Sequence, residues 1–379
     1  MTVATVESVQ EQILDALRER TPLRIAGKSQ WIDAGRPVEA TRILSTAAHA
    51  GIVDYVPGDL TITVRAGTTL GEIAAATRAS GQWLPLEPFG SLDGTIGATI
   101  ATGSSGPLAG AFGRARDLIL GVEFVTGEGK IVRGGGRVVK NVAGYDLVRL
   151  VTGSWGTLGV VTEATLRLYA VPQETLTLSL GIPDGLGALR NRIGSLLLAP
   201  GNPFAVEIVD ATMSEMIGIG AEPQIVVRLG GNSAAVKAQR DAIMLLGGPR
   251  VVKHEVWEKL RTVEDTLDAP PIVVRLSKPP AEIAELWIAA RNLLREISGS
   301  MMHASPALGI VRCILPASVS TAALESLAAV AGSVVYERLP AAMWSRFSPT
   351  VVGDRISQGI KRAFDPQNIL NPGILGPSA

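Results

Sequence analysis

The sequence is poor in the residues that build metal and redox centres. Among 379 residues there is one cysteine, Cys313, and there are three histidines, His49, His254 and His303. One thiol excludes a disulfide within the chain, and it excludes a thiolate zinc site or an iron–sulfur cluster assembled from this chain alone. Three scattered histidines are too few for a histidine-rich metal centre, so no metal site is expected. Neither sign of charge is in excess: Lys+Arg and Asp+Glu are 35 each and the formal net charge is 0. That balance argues against nucleic acid or an anionic membrane surface as the main partner and for a protein or a small molecule. No apolar run approaches the roughly 20 residues of a membrane helix. Residues 1–20 read as an acidic, polar, amphipathic helix (Val9, Ile13, Leu17), not as a basic start followed by an apolar run. A reducing, cytoplasmic setting fits these absences, with membrane association through partner subunits left open.

What the chain has in plenty is glycine, and the excess is local. Residues 90–160 hold 17 of the 42 glycines in 71 positions, leaving 25 for the other 308, which is close to the average usage of about 7%. A stretch that dense needs bare backbone. Residues 90–106 run Gly-Ser-Leu-Asp-Gly-Thr-Ile-Gly-Ala-Thr-Ile-Ala-Thr-Gly-Ser-Ser-Gly, which supplies amides that can turn inward on a phosphate together with hydroxyls. A loop that crosses itself tightly needs the same composition, and spacing alone does not separate the two readings. The glycines of residues 153–159 recur every three positions. They match neither the Rossmann fingerprint nor the Walker pattern, which argues against a nicotinamide dehydrogenase or an ATPase.

Length allows two to three domains, and the pattern changes near Pro172. Before it, residues 23–27 read as a strand delivering a glycine turn, and residues 41–66 as three short strands. Thr68 is the expected N-cap of a helix over 69–80. A hairpin over 118–133 turns at Thr126-Gly127-Glu128-Gly129, a short helix spans 145–151, and a strand spans 160–168. Beyond Pro172, strands at 176–180, 204–209, 224–229, 272–276, 309–315 and 333–337 alternate with helices at 186–198, 234–246, 281–297 and 320–330. That arrangement predicts an α+β domain with helices on one face of its sheet. A last helix over 353–364 stops at a proline turn. The expected domains are 1–171, 172–340 and a C-terminal segment, 341–379, that returns to the first.

The ordered set Arg24-Ile25-Ala26-Gly27-Lys28-Ser29, Ala66-Gly67-Thr68-Thr69-Leu70-Gly71-Glu72, Gly94-Thr95-Ile96-Gly97, Arg116-Asp117 and the run from Gly153 to Val161 resembles the FAD-binding domain of the vanillyl-alcohol oxidase and p-cresol methylhydroxylase (PCMH) superfamily. Lys140-Asn141-Val142-Ala143-Gly144-Tyr145-Asp146 and the ending from Phe364 to Gly373 resemble the glycolate oxidase and D-lactate dehydrogenase group, and most of all its glycolate oxidase E-subunit family. The resemblance implies an α+β fold: a two-subdomain PCMH-type FAD domain followed by a cap with a ferredoxin-like sheet. It implies FAD held by Ala26, Gly27, Lys28 and Ser29 on one side and by Pro88, Gly90, Gly94, Thr95, Ile96, Gly97, Thr102 and Gly103 on the other. Lys140, Gly153, Gly159, Val161 and Asn371 complete the implied site. Relatives often carry consecutive glycines in the first turn, where Lys28 and Gln30 intervene here. Residues 85–107 contain neither His nor Cys, so the flavin is expected to be non-covalent.

Oxidising a 2-hydroxy acid at a flavin requires a cation for the carboxylate and a base for the hydroxyl proton. Arg228, Arg275 and Arg312 each sit in an apolar strand and would bind a carboxylate if gathered; paired with acids such as Glu207, or facing solvent, they would not. His303 stands where catalytic relatives carry a histidine-rich motif, and a lone histidine is as readily structural. Tyr145 and Asp146 are candidates near the flavin, or a loop and a local helix cap. Three roles follow. The chain is an FAD subunit relaying electrons between a catalytic flavoprotein subunit and an iron–sulfur subunit, a self-sufficient dehydrogenase of a small 2-hydroxy acid such as D-lactate, or an assembly subunit with a vestigial flavin fold.

Overall fold

The computed structural model describes residues 6–136, 145–199, 201–347 and 354–376. Contacts divide the chain into two compact units. The first comprises Met1–Ser105, Gly113–Val171 and Thr350–Ala379, and the second Gly106–Phe112 and Pro172–Pro349. Two segments therefore group differently from the sequence expectation. Residues 106–112 join the second unit, where the Phe112 ring meets Phe204 edge-on at 4.9 Å. Residues 341–349 join it too, because Trp344 and Phe347 are buried in its core.

In the first unit a five-stranded antiparallel sheet runs Ile52–Val56, Thr61–Arg65, Val160–Arg167, Ile119–Val125, Ile131–Gly135. Ile62, Val64, Phe124, Ala164 and Leu166 pack against Leu70 and Ile73 of helix Leu70–Arg78 and against Ile96 and Ile100 of helix Ile96–Thr102. Burying a Leu- or Ile-sized side chain contributes about 1.5–3 kcal/mol, so this cluster fixes helix Ile96–Thr102 against the sheet. A second cluster joins Val9 and Ile13 of the first helix to the parallel pair Leu23–Ala26 and Arg42–Ser45 and to Ile369 and Leu370. Thr69, not Thr68, caps helix Leu70–Arg78. Its Oγ1 accepts from the Glu72 amide at 3.1 Å while Glu72 accepts from the Thr69 amide at 2.7 Å, a complete capping box. The Thr68 hydroxyl is instead committed to Gly51, whose amide donates to it at 2.9 Å.

The second unit holds an eight-stranded antiparallel sheet made of two halves. Each half runs strand–helix–strand–strand–helix–strand, the first with the short helix Ala211–Ile217 between its second and third strands, and has spatial order fourth, first, third, second, the ferredoxin-like pattern. The first half spans Glu174–Gly181 to Arg250–Val251 and the second Ile272–Ser277 to Ser333–Arg338, joined where Ala205–Val209 pairs with Met301–Ser305. The expectation of helices on one face is corrected. Alternate strand residues such as Ile208, Ile225 and Val274 face the core shared with Leu189, Val236, Trp287 and Leu324. On the other face Ala205, Val209, Val226 and Met301 pack under two short helices, Ala211–Ile217 and Val256–Thr262, through Met213, Trp257 and Leu260. With both faces covered at these strands, every residue of Ala205–Val209 is buried and the period of two disappears from their hydropathy.

Candidate functional site

Strand Leu23–Ala26 ends in a turn that opens a groove in the first unit. Ala26, Gly27, Lys28 and Ser29 line it, with Gly94, Thr95, Gly97 and Thr102 from the glycine-rich segment and helix Ile96–Thr102. Thr95 caps that helix, its side chain accepting from the Ala98 amide at 3.3 Å, and Gly103 at φ +66° closes it. Bare backbone is a requirement here: a Cβ on Gly97 would lie 2.8 Å from the Ala66 Cβ and 2.9 Å from the Ala66 carbonyl. Ser29 stands at φ +65° and Trp155 at φ +55°, left-handed conformations that a side chain resists.

Pro88, Gly159, Val161 and Asn371 also reach the groove wall, whereas four expected residues do not. Ile96 is fully buried in the core beneath the groove. Gly103 ends its helix where a Cβ would lie 3.2 Å from the Gly153 Cα, and Gly153 lines a cavity other than the groove. Gly90, at φ +97°, is a turn residue facing Gln30 and Trp31. Lys140 lies outside the described residues. Tyr145 is 91% exposed, and Asp146 caps helix Leu147–Val151 by accepting from the Arg149 amide at 3.0 Å, the local of its two readings.

Asn371 reaches the wall but spends its amide on the protein: Oδ1 accepts from the Ile25 amide at 2.8 Å and Nδ2 donates to the Trp155 carbonyl at 2.7 Å. It ties the first turn to the loop at 153–159. Sequence reasoning missed Arg24, Gln30, Trp31, Phe89 and Trp155, all on the wall. The Gln30-Trp31 pair interrupting the glycine turn was the visible signal. Burial pushes the Arg24 guanidinium below its ordinary range, with Asp33 working against that shift. The lining, bare glycine backbone with Arg24 and Lys28 beside three aromatic rings, fits a pyrophosphate joined to flat ring systems.

In the second unit the four catalytic candidates lie on one face of the sheet without forming one cluster. Arg312 is cross-strand neighbour to His303 on one side and Arg275 on the other. Arg228 is two strands removed, beyond Ala205–Val209 and Met301–Ser305. Arg312 Nε donates to Glu337 at 2.8 Å and its Nη1 lies 2.5 Å from Glu264. Glu337 lies 3.7 Å from Arg275, and Glu264 lies 3.2 Å from Arg338. Burial alone would depress the Arg312 guanidinium, but Glu264 and Glu337 outweigh it and raise its pKa. Burial likewise opposes ionisation of Glu337, and Arg312 and Arg275 overcome that, holding its carboxyl below the ordinary range. His303 Nδ1 lies 2.8 Å from Glu207, which also accepts from the Ser305 hydroxyl at 2.5 Å; Glu207 is wholly buried. Among the described residues no three His, Cys, Asp or Glu side chains converge as a ligand set for a metal. No helix among them is long and apolar enough to cross a membrane.

Two family models match the chain: an FAD binding domain over residues 1–135 and the C-terminal domain of FAD linked oxidases over residues 346–375. The chain is 37% identical over 276 residues to the glycolate oxidase subunit GlcE of Escherichia coli, covering 72% of this chain and 73% of that protein. It is 27% identical over 410 aligned positions to a D-lactate dehydrogenase of Archaeoglobus fulgidus, covering 97% of this chain and 88% of the relative. Among solved structures, p-cresol methylhydroxylase with substrate bound matches with a TM-score of 0.71 at 17% identity, over 98% of this chain and 87% of that one, a likeness of fold alone. The groove and these matches define an FAD-linked oxidoreductase with a PCMH-type fold, and FAD is its cofactor. Within that class the chain belongs to the family of the glycolate oxidase subunit GlcE.

Proposed function

We propose that this chain is the FAD-carrying subunit of a glycolate oxidase-type assembly, taking part in oxidation of glycolate to glyoxylate and passing electrons between a catalytic flavoprotein subunit and an iron–sulfur subunit. FAD, when bound, supplies the electron acceptor. The protein's share is to hold it: Gly27, Gly94, Gly97 and Gly159 keep the groove open to the pyrophosphate, while Lys28 and Arg24 balance its charge. Among the described residues no His or Cys lines the groove, which supports a non-covalent cofactor.

The observation that carries the choice of role is the pairing of Arg312 with Glu264 and Glu337. A substrate carboxylate would have to displace two carboxylates already bound to a buried guanidinium, and removing either leaves charge uncompensated. That favours a carrier working beside a catalytic subunit over a self-sufficient dehydrogenase. The second reading, a dehydrogenase of a small 2-hydroxy acid, draws on the similarity to a D-lactate dehydrogenase over nearly the whole chain.

The test is the visible absorption spectrum of the purified chain, followed by anaerobic addition of glycolate or D-lactate. A flavin band that stays oxidised until partner subunits are added is the expected result. Bleaching by either acid without partners would establish the dehydrogenase reading instead, and absence of a flavin band would sink both.

A further inference from the structure

Residues 153–159 form a partition with two sides. Trp155, Gly156 and Gly159 face the cofactor groove, whereas Gly153, Ser154, Thr157 and Leu158 face a second cavity of about 460 Å³. Helix Arg355–Phe364 and the turn that follows it, with Lys361, Arg362, Asp365 and Asn368, line that cavity as well. The partition therefore lacks a close-packed core along this side, and protein interiors hold shape largely by such packing. It nonetheless holds the non-glycine residue Trp155 at φ +55°. Strained backbone persists only where its surroundings over-determine it.

Three sets of hydrogen bonds do so. On the groove side the Gly153 and Trp155 amides donate to the carbonyls of Ile100 and Ala101 at 2.9 and 2.7 Å. In the middle Asn371 holds the Trp155 carbonyl. On the cavity side Lys361 reaches the partition: its Nζ donates to the Thr157 carbonyl at 2.9 Å, to Asp365 at 2.5 Å and to the Leu370 carbonyl at 3.3 Å. All three ammonium hydrogens are thereby engaged. Asp365 is anchored in turn, accepting from the Ile369 and Leu370 amides at 3.0 and 2.8 Å. Leu370 forms a parallel bridge with Leu23 at the start of the strand that delivers the Gly27 turn. One ammonium thus links both backbone walls of the groove without lining it.

We propose that Lys361 is a positioning residue for the cofactor, a strut that, seated on Asp365, holds the 153–159 partition in the shape that receives FAD. The inference rests on the reading that the groove of the first unit is the FAD site. Burial lowers the lysine's pKa despite Asp365, consistent with an ammonium kept in place by its acceptors and not by solvent.

The experiment uses the full chain. Lys361→Met and Lys361→Gln are titrated with FAD by flavin fluorescence. Visible circular dichroism is read at FAD saturation, and the melting temperature is read without FAD. Loss of hydrogen bonds to a charged group predicts an FAD Kd weaker by about tenfold or more in Lys361→Met. A changed visible dichroism of the saturated flavin is also expected, which a loss of stability alone would not produce. Lys361→Gln, retaining a donor, is expected to lie between. Wild-type affinity and dichroism in Lys361→Met overturn the proposal; should that variant fail to fold, wild-type values in Lys361→Gln overturn it. Gly97→Val separates the two levels. If it keeps its flavin, the placement of the FAD site has failed, whereas if it loses flavin while the Lys361 variants bind normally, only the strut has failed.

Discussion

The two units handle charge in opposite ways. In the first, cations face an open groove: Lys28 and Arg24 line it beside Gly27, Gly94 and Gly97, and Ser29 and Trp155 hold left-handed backbone in its wall. In the second, cations are satisfied from within. Arg275, Glu337, Arg312, Glu264 and Arg338 form a chain of alternating charge across one face of the sheet. An open groove walled in part by strained backbone marks a place prepared for a ligand. Donors already matched to buried carboxylates mark a place where the charge is spent on the fold. The zero net charge of the chain hides this asymmetry.

The comparison breaks most visibly at Gly97. Its amide donates to the Ala66 carbonyl at 2.8 Å, so a branched side chain cannot be admitted without pulling helix Ile96–Thr102 off the sheet edge. Gly97→Val is expected to purify without flavin, read as the loss of the visible band, and normal flavin content would refute the groove assignment. In the second unit the equivalent injury is to stability. Glu337→Gln leaves Arg312 short of a counter-charge, and breaking a buried pair costs about 3–5 kcal/mol. A markedly lower urea midpoint is expected for the second unit, with FAD affinity within about twofold of the parent. An unchanged midpoint would show that the charge chain contributes nothing to the fold.

A smaller effect comes from Asp210, which caps helix Ala211–Ile217 and also accepts from the Met302 amide at 3.0 Å. Burial pushes its pKa up to about 6, against the amides of Met213 and Met302 and the charges of His303 and Arg291. A carboxyl raised in the folded state binds its proton more tightly there than when unfolded. Its contribution is therefore fully present below the ordinary value near 3.8 and is lost as pH rises through about 6, at most about 3 kcal/mol. Urea unfolding at pH 4 and pH 7.5 is expected to show a smaller drop with rising pH in Asp210→Asn than in the parent. Equal drops would mean that Asp210 is not the group responsible.

Much of this contrast was legible in the residues, and what was not has physical causes. The density of glycine between 90 and 160 has two causes: Gly94, Gly97, Gly156 and Gly159 line the groove, whereas Gly127 and Gly134 leave room for Asp365 and Leu147. The strands beyond Pro172 were readable wherever one face carried the core. Reading failed at strand Met301–Ser305, noticed only for its histidine, and at helices Ala211–Ile217 and Val256–Thr262, which are too short for their periodicity to register. It failed again over the arginines. Glu264 and Glu337 stand 48 and 25 residues from Arg312, and strand alternation does not reveal which distant carboxylate a register will bring alongside.

The finest test of the contrast is Ser29, the one non-glycine in the cofactor turn held at φ +65°. A left-handed conformation costs an L-residue about 1–2 kcal/mol, and glycine would remove that cost while losing about 0.5–1 kcal/mol of its own through a more flexible unfolded chain. Ser29→Gly is therefore expected to stabilise the FAD-free protein by no more than about 1.5 kcal/mol, seen as a small rise in melting temperature. If the strain is part of the cradle's preparation, the same change should weaken FAD binding, because a turn free to leave the left-handed region must be reordered when the ligand arrives. A higher melting point with weaker FAD binding would show that strain in the first unit serves the ligand. A gain in both would show that Ser29 is merely tolerated there, and that the amides of Gly27 and its neighbours are set by the strand and by Asn371 alone.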